Sequence, residues 1–284
     1  MAMIISDIHG DIKKAKAFLA YKPEAEHVIL GDLMDSRDRQ ITLKDELACL
    51  ELILASDAVL IWGNHDLAYT ILRPWRDFTR FVGMLPSSMV EQYKDRSDYL
   101  RRCYEDMSGN LLTTHIFTDL IQSHADRFKA AYAVDDWLCT HAGLSKAVTT
   151  DLPDMPIGSG DSEEIARFLN EEFLRESKIQ RKSADPLVGG AQLGEDYFGV
   201  GPLFARDWTR SGDDAYGGIF WYDHQHELPK PDPRVKQIFG HAPVPGPLRR
   251  DLWNNINIES GCWVFDTTKN DFVMLDEKTM SLTE

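Results

Sequence analysis

Five short polar clusters hold the side chains of this sequence that could do chemistry. They are "SDIHGD" (6–11), "LGDLMD" (30–35), "WGNHD" (62–66), "CTHAG" (139–143) and "FGHAP" (239–243). Asp7, His9, Asp32, Asn64, His141 and His241 together offer carboxylate, amide and imidazole groups. That mixture of hard oxygen and imidazole nitrogen suits borderline divalent cations, manganese first, with iron or zinc as alternatives. Asp32 is the natural bridge, because a carboxylate has two oxygens and can tie two cations together. Two such ions roughly 3.5 to 4 Å apart acidify a shared water and clamp the oxygens of an in-line displacement at phosphorus. Any one of these clusters is ordinary turn or capping chemistry. Five of them in order, each after an apolar run, point to a metal centre.

The elements that must carry these groups are visible around them. Apolar runs "MIIS" (3–6), "HVIL" (27–30), "AVLIW" (58–62), "WLCT" (137–140) and "VKQIFG" (235–240) read as strands. Between the first three lie "IKKAKAFLAY" and "LKDELACLELILA", whose apolar residues recur at helical spacing. That alternation predicts βαβ units, a parallel sheet, and a site at the carboxyl ends of the strands, so that five strand ends serve one sheet edge. Gly63 would permit the tight turn after its strand, and Asp66 would cap the following helix. Residues from about 70 to 132 read as a helical insertion, and about 151–218 as a lid-like one. "NINIES" (255–260), "CWVFD" (262–266) and "DFVMLD" (271–276) read as closing strands. With no internal repeat or linker, residues 1–284 are expected to form one domain.

The chain has 284 residues, 43% of them hydrophobic, and a formal net charge of -15. Such a charge disfavours stable nucleic-acid binding, which needs a basic face, yet allows a small phosphorylated substrate drawn to local cations. No apolar run approaches the roughly 20 residues of a membrane span. The N-terminus does not read as a signal peptide, so a cytoplasmic protein is expected. Cys49, Cys103, Cys139 and Cys262 lie far apart without CxxC spacing, which fits burial in a reducing compartment rather than a disulfide framework. Oligomeric state is not legible.

Taken as an ordered set, "DIHG", "GDLMD", "GNHD", "HAG" and "GHAP" resemble the motifs of the calcineurin-like metallophosphoesterases. The resemblance is closest to the branch of serine/threonine phosphoprotein phosphatases and symmetrical dinucleoside tetraphosphatases. "GHAP" stands where many other members have Gly-His-x-His, and "INIESGCWVFD" resembles that branch's final strand pair. The resemblance implies an α/β fold of two facing mixed β-sheets flanked by helices. It implies one metal held by Asp7, His9 and Asp32 and a second by Asp32, Asn64, His141 and His241. His65 would protonate or steady the leaving oxygen, and Asp35 would orient its ring. A metal-bridging hydroxide would attack a phosphomonoester in line, and a phosphoprotein is one form of that substrate. A dinucleoside tetraphosphate is the alternative, suggested by "GNHDLA" and "HAGLS". A non-catalytic scaffold is a third reading, disfavoured because such relatives lack the histidine found here at 65.

The sequence departs from the branch in two places. Ser36 follows Asp35 where an arginine is usual, and Trp62 stands where an arginine often precedes Gly-Asn-His. Arg37 could grip phosphate only if its loop shifts register. Arg206 and Arg210 are the other candidates, since a guanidinium matches phosphate bidentately, with a surface salt bridge as the equal alternative. His224 and His226 are expected to face solvent, and the acidic helix over 162–176 to be a solvated face.

Overall fold

Alternation along the first strands decides which way each residue faces. In β1 (Ala2–Ile5), Met3 and Ile5 join the core beneath the helices, while Ala2 and Ile4 face a second sheet. The computed structural model describes residues 1–36, 38, 40–67, 69–70, 117, 120–177, 199–210, 212–228, 230–250, 253–255 and 262–275. In the first sheet, β1 pairs in parallel with β2 (Glu26–Ile29), which pairs in parallel with β3 (Val59–Ile61). The short edge strand β4 (Phe128–Lys129) continues the parallel ladder. On the far side, β10 (Trp263–Asp266) and β11 (Asp271–Met274) are antiparallel.

Two helices cover the outer face of this sheet. Helix α1 (Ile12–Ala20) starts at Asp11, whose carboxylate accepts from the amides of Lys13 and Lys14. Helix α2 (Leu43–Ala55) opens on a capping box in which Thr42 and Asp45 satisfy each other's amides. Phe18, Leu50 and Ile53 carry their apolar faces into the core with Met3 and Ile29.

The second sheet has the order β5 (Tyr132–Val134), β6 (Trp137–Cys139), β7 (Gln237–Phe239), β9 (Trp253–Asn255), β8 (Leu248–Arg250). Its central strands β6, β7 and β9 are parallel and its edges antiparallel. Val134, Trp137, Cys139 and Ile238 meet Ala2, Ile4, Val28, Leu30 and Ile61 between the sheets. Both sheets are therefore mixed and face to face, as expected. The site-bearing strand ends belong to both: β1, β2 and β3 lie in one sheet, β6 and β7 in the other. The expectation of a single sheet edge is corrected accordingly.

Helix α4 (Lys146–Asp151) follows β6, and helix α5 (Ser162–Glu176) packs against β5 and β6. The expected solvated face of α5 is only part of it, because Ile165, Ala166, Leu169, Glu172 and Glu176 are buried. Most of the expected helical insertion, and residues 178–198 of the lid-like one, lie outside the described residues. Strands β4 and β5 occupy what was read as the end of the helical insertion. No described helix is long and apolar enough to cross a membrane.

Candidate metal centre

The loops after β1 and β2 run side by side, joined by amide-to-carbonyl bonds from Asp7 to Gly31, His9 to Asp32 and Gly10 to Leu33. The loop after β3 presses against them. A Cβ on Gly31 would lie 2.5 Å from Gly63 Cα and 2.9 Å from the Trp62 carbonyl carbon, so backbone meets backbone here. Gly63 was expected to supply a turn, but it has no positive φ; a Cβ there would run into the amide and Oδ1 of Asp32. Its smallness serves close approach instead.

Asp66 is likewise corrected. It lies inside the short helix α3 (Asn64–Leu67) rather than ahead of a following one. Its fully buried carboxylate accepts from the amides of Asp32 (2.9 Å), Leu33 (2.9 Å) and Gly63 (3.0 Å), stapling two loops together. Burial, aided by the charge of Asp32, pushes its pKa up to about 7, while the amide bonds act in the opposite direction. Beneath the first loop, buried Lys14 donates from Nζ to the carbonyls of Ser6 (3.1 Å) and Asp7 (2.8 Å).

These constraints hold strained backbone. Of the eight non-glycine residues with positive φ among the described residues, five are Asp7 (53°), His9 (48°), Asp32 (54°), Asp35 (64°) and His241 (69°). Such torsions cost of order 1 kcal/mol or more each and persist where the surroundings impose them.

Two clusters result. The ligand atoms of Asp7, His9 and Asp32 lie within 4.8 Å of one another, as do those of Asp32, His141 and His241. Asp32 belongs to both through one atom: Oδ2 is 3.9 Å from His9 Nε2 and 3.5 Å from His141 Nε2. Its Oδ1 accepts from the His65 amide at 3.0 Å. Asp7 Oδ2 accepts from Ser6 Oγ and the His241 amide (3.1 Å), while Oδ1 lies toward His9 Nε2 at 3.8 Å.

The tautomers follow from the partners, because a carbonyl can only accept. His9 Nδ1 donates to Met34 O (2.8 Å) and His141 Nδ1 to Leu30 O (2.6 Å), which turns the Nε2 atom of each ring toward the cluster. The latter bond also ties the second sheet's histidine to the end of β2. Around His141 Nε2 gather Asn64 Oδ1 at 3.0 Å, His241 Nδ1 at 3.1 Å and Asp32 Oδ2. Burial, then the neighbouring charges of His141 and Arg210, lowers the His241 pKa well below the ordinary range and keeps the ring neutral. Burial opposes ionisation of Asp32, but His141, His65, His9 and the His65 amide together hold its pKa below the usual value. A buried carboxylate, an amide oxygen and imidazole nitrogens therefore converge on one small volume. A divalent cation would relieve that crowding, and the mixed nitrogen and oxygen donor set fits such an ion.

His65 stands beside these clusters, its ring edge-on to His9 with centroids 5.3 Å apart. Its Nδ1 lies 3.0 Å from Asp35 Oδ2, and Asp35 Oδ1 accepts from the Tyr69 hydroxyl at 2.7 Å. Sequence reasoning passed over Tyr69, whose only signal was its place four residues after His65. Arg210 donates to Asp223 Oδ2 at 2.9 Å, and its charge reaches His241. Arg206 is buried in the same segment. Arg37 lies outside the described residues. Trp62 stacks on Phe128 at 4.1 Å within the core, away from any phosphate-gripping role. His226 is exposed and bonded to Asp223, but His224 is buried against Phe239, contrary to expectation. Cys49, Cys139 and Cys262 are buried free thiols.

Comparison with known proteins supplies the family. A profile of the calcineurin-like phosphoesterases matches residues 2–265. No curated protein matches the chain. Among solved structures, it is similar to a cold-active protein-tyrosine phosphatase of a psychrophilic Shewanella species. The identity is 12%, the match covers 97% of this chain and 80% of that one, and the TM-score is 0.45. A point mutant of a cold-active protein tyrosine phosphatase gives 13% identity, the same coverage and a TM-score of 0.46. A protein serine/threonine phosphatase from Saccharomyces cerevisiae gives 12% identity, 90% and 66% coverage and a TM-score of 0.43. The profile spans all five polar clusters, and the chain, a metal-dependent phosphohydrolase, belongs to the calcineurin-like phosphoesterases.

Proposed function

We propose that the chain hydrolyses phosphomonoesters, phosphoproteins among them, with two divalent cations bound at the ends of its two sheets. The observation that carries this reading is the His65–Asp35 pair set beside two ligand clusters that share one Asp32 oxygen. Asp7, His9 and Asp32 would hold one cation, and Asp32, Asn64, His141 and His241 the other. Manganese is assigned first, with iron or zinc as alternatives, because the ligands mix nitrogen and oxygen without thiolate. When bound, such a pair supplies Lewis-acid polarisation of phosphoryl oxygens and an acidified water.

The chain's own residues do the rest. Asp35 engages His65 through Nδ1, which leaves Nε2 to deliver a proton to the departing ester oxygen. Arg210, anchored by Asp223, and buried Arg206 are assigned to the phosphate; Arg37 is the third candidate. Strain at Asp7, His9, Asp32 and His241 supports preorganised ligands, since torsions of this kind concentrate at functional sites. A cytoplasmic location is part of the same reading.

One panel tests the proposal, using metal-stripped and manganese-reloaded protein. It compares para-nitrophenyl phosphate, bis-para-nitrophenyl phosphate, a phosphopeptide and diadenosine tetraphosphate. Hydrolysis of both monoesters should require metal, and that of a phosphoserine peptide, whose alkoxide needs a proton to leave, should fall at least about 100-fold in His65→Ala. Metal-independent turnover, or full activity in Asp32→Asn, contradicts the mechanism. A clear preference for the tetraphosphate replaces the monoester reading, and no hydrolysis of any phosphoester favours a scaffold.

A further inference from the structure

We infer that Tyr69 is a positioning residue for the proton-transfer step, holding Asp35 in the one orientation that serves His65. The inference rests on the reading of His65 as proton donor. Asp35 is gripped on both oxygens: Oδ2 by His65 Nδ1 at 3.0 Å and Oδ1 by the Tyr69 hydroxyl at 2.7 Å. Its amide donates to Glu46 Oε2 at 3.2 Å, and its backbone is left-handed at φ 64°. His65 lies in α3 and Tyr69 in the turn just beyond it, tied back by the Tyr69 amide bonding to Asp66 O at 3.0 Å.

Packing alone does not call for a hydroxyl here. The Tyr69 ring is 3% exposed and tilts against Phe117, with centroids 6.0 Å apart. Phenylalanine would fill that space equally well. A buried hydroxyl is tolerated where it has a partner, and this one bonds to a carboxylate, the stronger kind of hydrogen bond. Without it, Oδ1 would lose that donor while still buried. The carboxylate would be held less firmly, and any turn about its bond moves Oδ2 away from His65.

In the step concerned, a bond forms from the water oxygen to phosphorus and the bond from phosphorus to the ester oxygen breaks. The electron pair stays on the ester oxygen, which takes the proton from His65 Nε2. His65 is left neutral with Nδ1–H on Asp35, and the proton lost by water restores it. An alkoxide needs that proton, whereas para-nitrophenolate departs without it.

The test measures kcat and KM of Tyr69→Phe on 2-phenylethyl phosphate and para-nitrophenyl phosphate with manganese-loaded enzyme. We expect kcat on the alkyl ester to fall about 10-fold, while KM and the aryl-ester kcat stay within about two-fold. Bound manganese should be unchanged, and adding Tyr69→Phe to Asp35→Asn should cost nothing further. Equal losses on both esters, or no loss, overturn the inference. His65→Ala separates the two layers: without leaving-group bias, proton donation itself fails. If His65→Ala shows the bias and Tyr69→Phe does not, only the role of Tyr69 fails. Should Tyr69→Phe fold poorly, the His65 Nδ1–H resonance of zinc-loaded protein at permissive temperature decides. Faster solvent exchange than wild type supports the inference, and an unchanged signal overturns it.

Discussion

Replacing Gly31 with alanine puts a methyl group where three loops meet. The new Cβ would sit 2.5 Å from Gly63 Cα and 2.9 Å from the Trp62 carbonyl carbon, and Gly31 has φ 86°. Carbon atoms need about 3.5 Å, so the ends of β2 and β3 must part by about 1 Å. Overpacking of that size costs about 1–3 kcal/mol, and the left-handed torsion adds about 1 kcal/mol. The shift also moves Asp32, whose Oδ2 now lies 3.5 Å from His141 Nε2 and 3.9 Å from His9 Nε2. A 1 Å misplacement at a reacting centre costs about 100-fold. Urea unfolding, manganese content after reloading and monoesterase kcat/KM are the assays. Gly158→Ala, where a Cβ meets nothing within 4 Å, is the control and should be close to neutral. A Gly31→Ala protein as stable and active as that control would refute the argument that these loops touch.

Asp66→Ala removes the shared acceptor of three amides and should lower stability by about 3 kcal/mol or more in urea, although Asp66 is assigned no ligand role. Arg210→Ala should raise KM for a phosphomonoester about 10-fold, and Arg210→Lys should recover little of it, because an ammonium lacks the guanidinium fork. Although burial opposes its charge, Lys22 at 2.6 Å and Thr268 hold the Asp266 pKa down to about 2. A depressed carboxyl stabilises the fold above its unfolded value near 4 and loses that contribution as pH falls toward 2. Asp266→Asn should therefore cost about 1–2 kcal/mol at pH 6, discounted for the partly exposed lysine, and progressively less as pH falls from about 4 through 2, by urea midpoints.

Much of this was legible in the sequence, for identifiable reasons. Helix α2 begins and ends where the spacing predicts, since Thr42 and Asp45 form a local capping box and the apolar period is unbroken. Strand β6 needed only its short apolar run. Strand β8 was missed because Leu248–Arg250 offers no alternation; its pairing with β9 defines it. The site failed to read wherever meaning depends on contacts between loops. Asp66 has capping chemistry locally, yet its acceptors serve amides more than thirty residues earlier in the chain. Gly63 resembles a turn glycine, and only the proximity of Asp32 shows otherwise. Tyr69 is an ordinary aromatic until Asp35 lies beside it.

The division of ligands between sheets has a mechanical consequence. Asp7, Asp32 and Asn64 ride on one layer and His141 and His241 on the other. A cation seated among Asp32, His141 and His241 would act as a rivet through both layers at the rim of the sandwich. Demetallation would then loosen the seam from that rim inward, making metal occupancy a determinant of how firmly the halves of the molecule stay clamped.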